Sequence, residues 1–349
     1  MDRNVDHQTA PDLREPAKDP HAWKRVVAKF QRPAPLRANW QLANTLTPYA
    51  ALWLLMYLTL GVSIWLTLGL ALMAAGFLVR VFIIFHDCTH GSFFASKRAN
   101  SVVGFATGVL AFTPFAHWRW EHARHHASSG DLDRRGVGDV STMTVDEYVR
   151  ASIWERIRYR TMRNPITLFV FAPLLLFLVR QRFSSMGAGQ PERRSVLWTN
   201  LCLLSTAVIL SGVYGWQAYL FIQLVILGVS GAAGVWLFYV QHQFEDVYWE
   251  RGGDWDFVEA ALKGSSFYRL PKVLQWLSGN IGYHHVHHLS ARIPNYRLET
   301  CHRSDPLFSS VKPVTLRSSL RSLRLRLWDE DAQRLVGFRE VRDSRRTGS

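Results

Sequence analysis

The sequence predicts an all-α integral membrane protein. Four transmembrane helices form two hairpins, interfacial helices lie between them, and a cytoplasmic helical cap carries a metal centre. Three observations predict this. Ala38–Val79 and Ser195–Phe244 hold no Asp, Glu, Lys or Arg over 42 and 50 residues. Each stretch is about twice the ~20 residues that one spanning helix needs. The remainder is polar and basic, and the net charge is +14. Nine of the 14 histidines fall in three boxes of five residues, and the first box begins soon after a charge-free stretch ends.

Met1–Leu36 is polar, carries five prolines and lacks the apolar core of a signal peptide. It reads as a flexible cytoplasmic leader with a short helix around His21–Phe30. His7 and His21 carry no motif and are expected to face solvent. Within the first charge-free stretch, spans at about 47–60 and 63–85 make a hairpin turning near Gly61. Trp40 and Tyr49 are suited to anchor it at the interface. His86 and His90 then lie just past the second helix. Val102–Phe115 is apolar but only 14 residues long and is ended by Pro114, a length that suits an interfacial or re-entrant piece. His117 falls outside the box spacing and is expected to support a ligand or the fold rather than to be a ligand itself.

Gly130–Arg163 reads as a cytoplasmic loop followed by a helix over Val145–Arg163. Ile166–Val179, interrupted by Pro173, reads as interfacial, and Gln181–Arg194 as a basic loop. The second hairpin has spans at about 196–213 and 218–240, turning at Tyr214–Gln217. His242 emerges past its end as His86 does past the first. Phe257–Pro271 and Lys272–Ser278 are expected to be short helices. Leu316, Leu320, Leu323 and Leu327, flanked by Arg317, Arg321, Arg324 and Arg326, predict an amphipathic basic helix, lying on anionic lipid or packing on the body. Glu340–Ser349 is expected to be disordered. The units are thus a leader, 1–37, a membrane unit, 38–300, and a basic tail, 301–349. Lys and Arg concentrate in the leader, the 180s loop and the tail, and neither hairpin turn carries charge. That asymmetry puts both termini and all three boxes in the cytoplasm.

The boxes carry the chemistry. His86–His90 is H-x-x-x-H. His122–His126 is H-x-x-H-H. His284–His288 contains H-x-x-H-H, with His285 as the extra member. Residues i, i+3 and i+4 share one helix face, so the three rings of a box can converge on one point. Neutral imidazole is the commonest nitrogen ligand for transition metals. Cys88, Cys202 and Cys301 are scattered, which argues against a disulfide framework or zinc ribbon. A nucleic-acid binder explains the charge but not the hairpins. A membrane haem protein or a metal transporter would place histidines or other polar ligands inside the spans, and both apolar stretches lack them before His242. A zinc hydrolase needs only three protein ligands.

The three boxes resemble those of the integral-membrane fatty acid desaturase family. So do Gln241–Trp249, Trp255-Asp256, Gly264–Pro271, Asn280–Leu298, Gly130–Thr144 and Arg163-Asn164-Pro165, which resemble its bacterial acyl-lipid branch. The resemblance runs from about Val81 to Leu298. It implies two iron ions held by His86, His90, His122, His125, His126, His242, His284, His287 and His288. One ion cannot take nine imidazoles, and nitrogen-rich sites suit iron. His285, Asn280, Glu245 and Asp246 are candidates to support the ligands by hydrogen bonds. The reaction implied is O2-dependent formation of a cis double bond in an acyl lipid, of a Δ12/ω-6-like or Δ5-like type. The same ligands serve a hydroxylase, which is the alternative. No electron-carrying domain or motif is found in the chain, so a separate ferredoxin or cytochrome is required. An acidic carrier would suit the basic face, with Lys97, Arg98, Arg134 and Arg135 as candidate contacts. The location implied is a bacterial plasma membrane.

Overall fold

A computed structural model describes residues 22–136 and 138–341. The expected leader up to His21, with His7, and the tail beyond Val341 lie outside the described residues. The expected short helix is α1, Ala22–Ala28. The first hairpin is α2, Pro35–Thr59, and α3, Ile64–His90, with Ser63 capping α3 by accepting from the Leu66 N–H. Both helices outrun expectation. The polar first half of α2 stays helical because Ala38, Gln41, Thr45, Tyr49, Leu52 and Met56 form one buried stripe. The first box holds no helix breaker until Gly91, so α3 continues through it and His86 and His90 lie inside the helix. Gly91, at φ +69°, ends it in a left-handed cap.

Helix α4, Lys97–Leu110, turns by 97° into α5, Phe115–Ser128, at Pro114. A bent pair of this kind is either a broken span or a re-entrant segment. Strand β1, Met143–Thr144, leads to α6, Val145–Arg150, and α7, Ile153–Met162. One helix was expected here. The break arises because Ser152 and Glu155 form a second capping box soon after that of Thr144 and Glu147. A π-helical turn, Thr167–Phe171, enters α8, Ala172–Leu178, and α7 meets this segment at a 57° bend. The second hairpin is α9, Gln190–Tyr214, and α10, Trp216–His242, parted by Gly215 at φ +78°. His242 is the last residue of α10, not a residue beyond it.

The cap follows as α11, Phe257–Lys263, β2, Phe267–Arg269, and α12, Lys272–Leu277. Then come α13, His284–Leu289, α14, Asn295–His302, and α15, Pro306–Ser309. The chain closes with β3, Pro313–Thr315, α16, Leu316–Ser319, β4, Leu327–Asp329, and β5, Arg334–Val336. The fold is mainly helical, with short strands in place of the all-α architecture expected from the sequence. Strand β4 lies between parallel β1 and antiparallel β5, and β2 pairs parallel with β3. The expected helix over Leu316–Leu327 does not form. After one turn the chain becomes a 3-10 segment, Leu320–Arg324, and then a strand. Two carbonyls there are taken from outside: Ser322 by the Tyr239 hydroxyl at 2.8 Å, and Leu325 by Arg163 Nη2 at 3.0 Å. Leu327 is fully buried opposite Met143.

Among the described residues α3, α9 and α10 are long and apolar enough to cross a membrane, α2, which holds the expected span at 47–60, is not among them, and the two bent pairs would raise the number to five. The exposed Leu54, Leu58, Trp65, Leu204, Val208 and Ile209 suit a lipid surround. Met56, Ala74, Ala75, Leu78, Ile222 and Ile226 pack α2, α3 and α10 together. The alanines let the backbones approach closely. Arg80, the first charge after the apolar run, is buried: its Nε donates to Thr45 Oγ1 at 3.0 Å, and its guanidinium lies 4.0 Å over the Trp276 ring. Helices α3 and α10 thus run side by side and present their histidines at the same end.

Candidate metal centre

All nine expected ligands converge, on two points. One nitrogen from each of His86, His90, His122, His126 and His287 lies within 4.8 Å of the others, and His125, His242 and His288 form a second group by the same measure. His284 joins the second group: its Nε2 is 3.0 Å from His242 Nε2, and its ring centroid is 4.5 Å from that of His288. The spacing explains the division. His86 and His90 are one turn apart on α3, with ring centroids 4.8 Å apart. On α5, His122 and His126 face the first group while His125 turns to the second. On α13 the roles invert, with His284 and His288 facing the second group and His287 the first. The three rings of an H-x-x-H-H box therefore do not meet at one point, as the spacing alone suggested, but bridge two.

The donor set suits metal ions. His90 Nε2, His125 Nε2 and His288 Nε2 are buried with no hydrogen-bond partner. A buried nitrogen left bare is costly, and ligation would satisfy it. Burial first, and the neighbouring imidazoles second, hold His284, His287 and His288 well below the ordinary histidine range. The rings are therefore neutral at pH 7, the form that binds metal.

Carboxylates orient two of the rings, and neither was expected to. Asp87 Oδ1 lies 3.1 Å from His86 Nδ1, and Asp139 Oδ1 lies 2.6 Å from His125 Nδ1. His242 Nδ1 is 3.3 Å from the Gly264 carbonyl. Asp87 sits inside the first box, and its position beside His86 was the only signal. Asp139 follows His125 by 14 residues in a loop, within the Gly130–Thr144 stretch noted above.

The four expected supporting residues are engaged elsewhere. Glu245 pairs with Arg321 at 3.2 Å and Asp246 with Lys312 at 3.0 Å, both at the surface. The left-handed turn at Asp246, φ +64°, carries them away from His242. The Asn280 amide donates to the Asn295 carbonyl at 3.3 Å. His285 points off the centre, with Nε2 3.1 Å from His302 Nδ1, and burial beside His302 pushes its pKa down to about 3. His117 is fully buried, and its Nε2 accepts from the Ser185 N–H at 3.0 Å, a structural contact as expected. Of the basic residues considered for a carrier, Arg134 is tied to Asp131 and Arg135 to Glu147.

A cavity of about 270 Å³ opens on the centre. Its walls are mainly apolar, from Leu78, Phe82 and Ile83 of α3 to Leu227, Val235 and Phe238 of α10, and it reaches His86, His122 and His284. Trp118 stacks on His122 at 4.1 Å, and the Phe238 ring lies 5.2 Å from His125 and 5.1 Å from His242.

Apolar helices that carry buried histidine clusters able to hold metal define a membrane protein with a candidate metal centre beside an apolar cavity. Residues 63–310 match the family model described as fatty acid desaturase. A fatty acid desaturase of Bacillus subtilis (strain 168) is 50% identical over 318 residues, 91% of this chain and 90% of that one. An sn-1 acyl-lipid omega-3 desaturase (ferredoxin) of Synechocystis is 27% identical over 67% of this chain and 64% of its own. An acyl-lipid omega-3 desaturase (cytochrome b5) of Arabidopsis thaliana is 26% identical over 62% of this chain and 58% of its own. The chain belongs to the fatty acid desaturase family and is an enzyme of that kind.

Proposed function

We propose that the enzyme introduces a cis double bond into the acyl chain of a membrane lipid, with two iron ions held by the nine converging histidines. The observation that carries this reading is the apolar cavity ending on His86, His122 and His284. His86, His90, His122, His126 and His287 would hold one ion, and His125, His242, His284 and His288 the other. When bound, the iron pair supplies with O2 an oxidising power that no side-chain acid or base has. Two hydrogens from adjacent methylenes, two electrons and two protons reduce one O2 to two waters. The chain's own residues do the rest. Asp87 and Asp139 fix ring orientation and tautomer, leaving a bare nitrogen toward each ion. Trp118 and Phe238 keep water from the histidines. The walls of α3 and α10 hold one methylene pair beside them.

The electrons come from a separate carrier of ferredoxin or cytochrome type. The names of the cyanobacterial and plant relatives, which cite ferredoxin and cytochrome b5, support that. The membrane is the bacterial plasma membrane. Four spans, α2, α3, α9 and α10, run as two hairpins and return the chain to the cytoplasmic side, and the bent pairs lie at the interface. The cap and centre face the cytoplasm, on the side where Lys and Arg concentrate. The proposed units are a leader, 1–37, a membrane unit, 38–300, and a tail, 301–349, with the first boundary falling within α2 and the second within α14.

The test is a fatty-acid profile. The chain is expressed in a bacterium that makes saturated and simple monounsaturated acids, and total lipids are analysed by gas chromatography and mass spectrometry. A new acid lighter by two hydrogens is expected, and derivatisation distinguishes a Δ12/ω-6-type from a Δ5-type position. A product heavier by one oxygen would mean a hydroxylase. Purified protein without iron would overturn the metal assignment.

A further inference from the structure

One wall of the cavity sets two glycines among larger side chains. The residues of α10 that face it include Leu227, Ser230, Gly231, Gly234, Phe238 and Gln241. Together with Val235 and Leu237, which also line the cavity, they cover one broad face of α10. Its two glycines differ. A Cβ on Gly231 would stand 2.9 Å from Pro173 Cβ and 3.3 Å from Phe177 Cε2, so that glycine lets α8 pack closely. A Cβ on Gly234 would meet nothing within 4 Å, although the residue is only half-buried and lines the cavity. Gly234 lies within a regular helix and needs no special backbone angle. Glycine is a poor helix former, and neither packing nor conformation accounts for one here. The space beside it is the cavity itself. At 1.5 Å per residue, Gly234 stands roughly 12 Å back along α10 from His242, and Leu227 roughly 22 Å.

We infer that Gly234 is a specificity-determining residue: its missing side chain leaves the slot open from the histidines toward Leu227 and so sets the longest acyl chain accepted. The inference rests on the acyl-lipid reading above. A helical side chain leans toward the helix N-terminus. A larger residue at 234 would therefore fill the slot on the Leu227 side and leave the histidine end clear. The substitution also improves helix propensity, so it does not threaten α10.

The experiment compares wild type, Gly234→Ala and Gly234→Leu in cells supplied with saturated acids of graded length. It reads the chain lengths of the desaturated products and the iron content of each purified protein. Gly234→Leu should keep its iron, shift products to shorter chains, and lose about tenfold or more of the longest wild-type product. Gly234→Ala should fall between. An unchanged chain-length profile in iron-replete Gly234→Leu overturns the inference. If the leucine variant loses iron, the alanine profile decides, and no shift there overturns it. A wild type that forms no double bond overturns the acyl reading itself, and this inference with it.

Discussion

Asp139 Oδ1 stands 2.6 Å from His125 Nδ1, and its side chain is only 8% exposed. The contact fixes the proton on Nδ1 and leaves the unpartnered Nε2 facing His242 and His288. Partners of this kind contribute about tenfold to a hundredfold in metal affinity. Asp139→Asn should weaken iron binding by that factor while size-exclusion behaviour stays unchanged. Competition with a graded chelator measures it. Wild-type iron retention in the variant would show that His125 needs no orienting carboxylate.

Asp87 serves two elements at once. Its Oδ1 faces His86, while Oδ2 accepts from the Asn295 N–H at 2.6 Å and from Asn295 Nδ2 at 2.8 Å. The carboxylate thus ties α3 to the start of α14. Asp87→Ala should lower iron content and also unfold the detergent-solubilised protein earlier. Leaving the buried Asn295 groups unpaired costs about 1–3 kcal/mol. Asn295→Ala removes only the amide contact and should keep the iron. If both variants retain iron equally, Asp87 acts on the fold alone.

Much of this centre was legible because helical spacing is local. H-x-x-x-H and H-x-x-H-H place rings on a face whatever lies around them. Which face meets which partner is not local. The split of His125 from His122 and His126, and its mirror on α13, depends on how α3, α5, α10 and α13 cross. Asp139 reaches His125 across a loop, where no periodicity applies. Glu245 and Asp246 mislead for the converse reason: they neighbour His242 in sequence, but α10 has ended, and the turn at Asp246 sends them to Arg321 and Lys312. The leucine spacing at 316–327 fails likewise, because Arg163 and Tyr239 capture carbonyls that a helix would need. Exposed ion pairs are worth roughly 0–1 kcal/mol. The double variant Glu245→Ala, Asp246→Ala should therefore keep wild-type iron and product. A loss of iron in it would return one of these carboxylates to the centre.

The two-hairpin topology makes a prediction about sidedness. In a background with Cys88, Cys202 and Cys301 replaced, single cysteines at Val62 and Trp216 should react with an impermeant thiol reagent added to intact cells. Single cysteines at Met186 and Ser310 should react only after the membrane is opened. Val62, Trp216 and Met186 are well exposed, so access rather than burial sets the outcome. Labelling of Met186→Cys from outside would mean that one of the bent pairs crosses the membrane, giving an odd number of spans before that loop.

His117 and His284 separate a buried histidine from a buried ligand. Both are buried, and His284 lines the cavity while His117 does not. His117 takes the Ser185 N–H at 3.0 Å, and Ser185 Oγ in turn donates to Glu121 at 2.5 Å, so its ring braces α5 against the loop after α8. His284 instead has its Nε2 against His242 and faces the second group. His284→Ala or His242→Ala should abolish product and reduce bound iron, because the group of four loses a member that no neighbouring side chain replaces. His117→Ala should keep the iron and most of the product, and lower the unfolding temperature through the unpaired Ser185 N–H. Iron counts on the purified variants decide between the roles. Full activity in His242→Ala would remove that residue from the centre, and iron loss in His117→Ala would mean that the loop after α8 helps to close it.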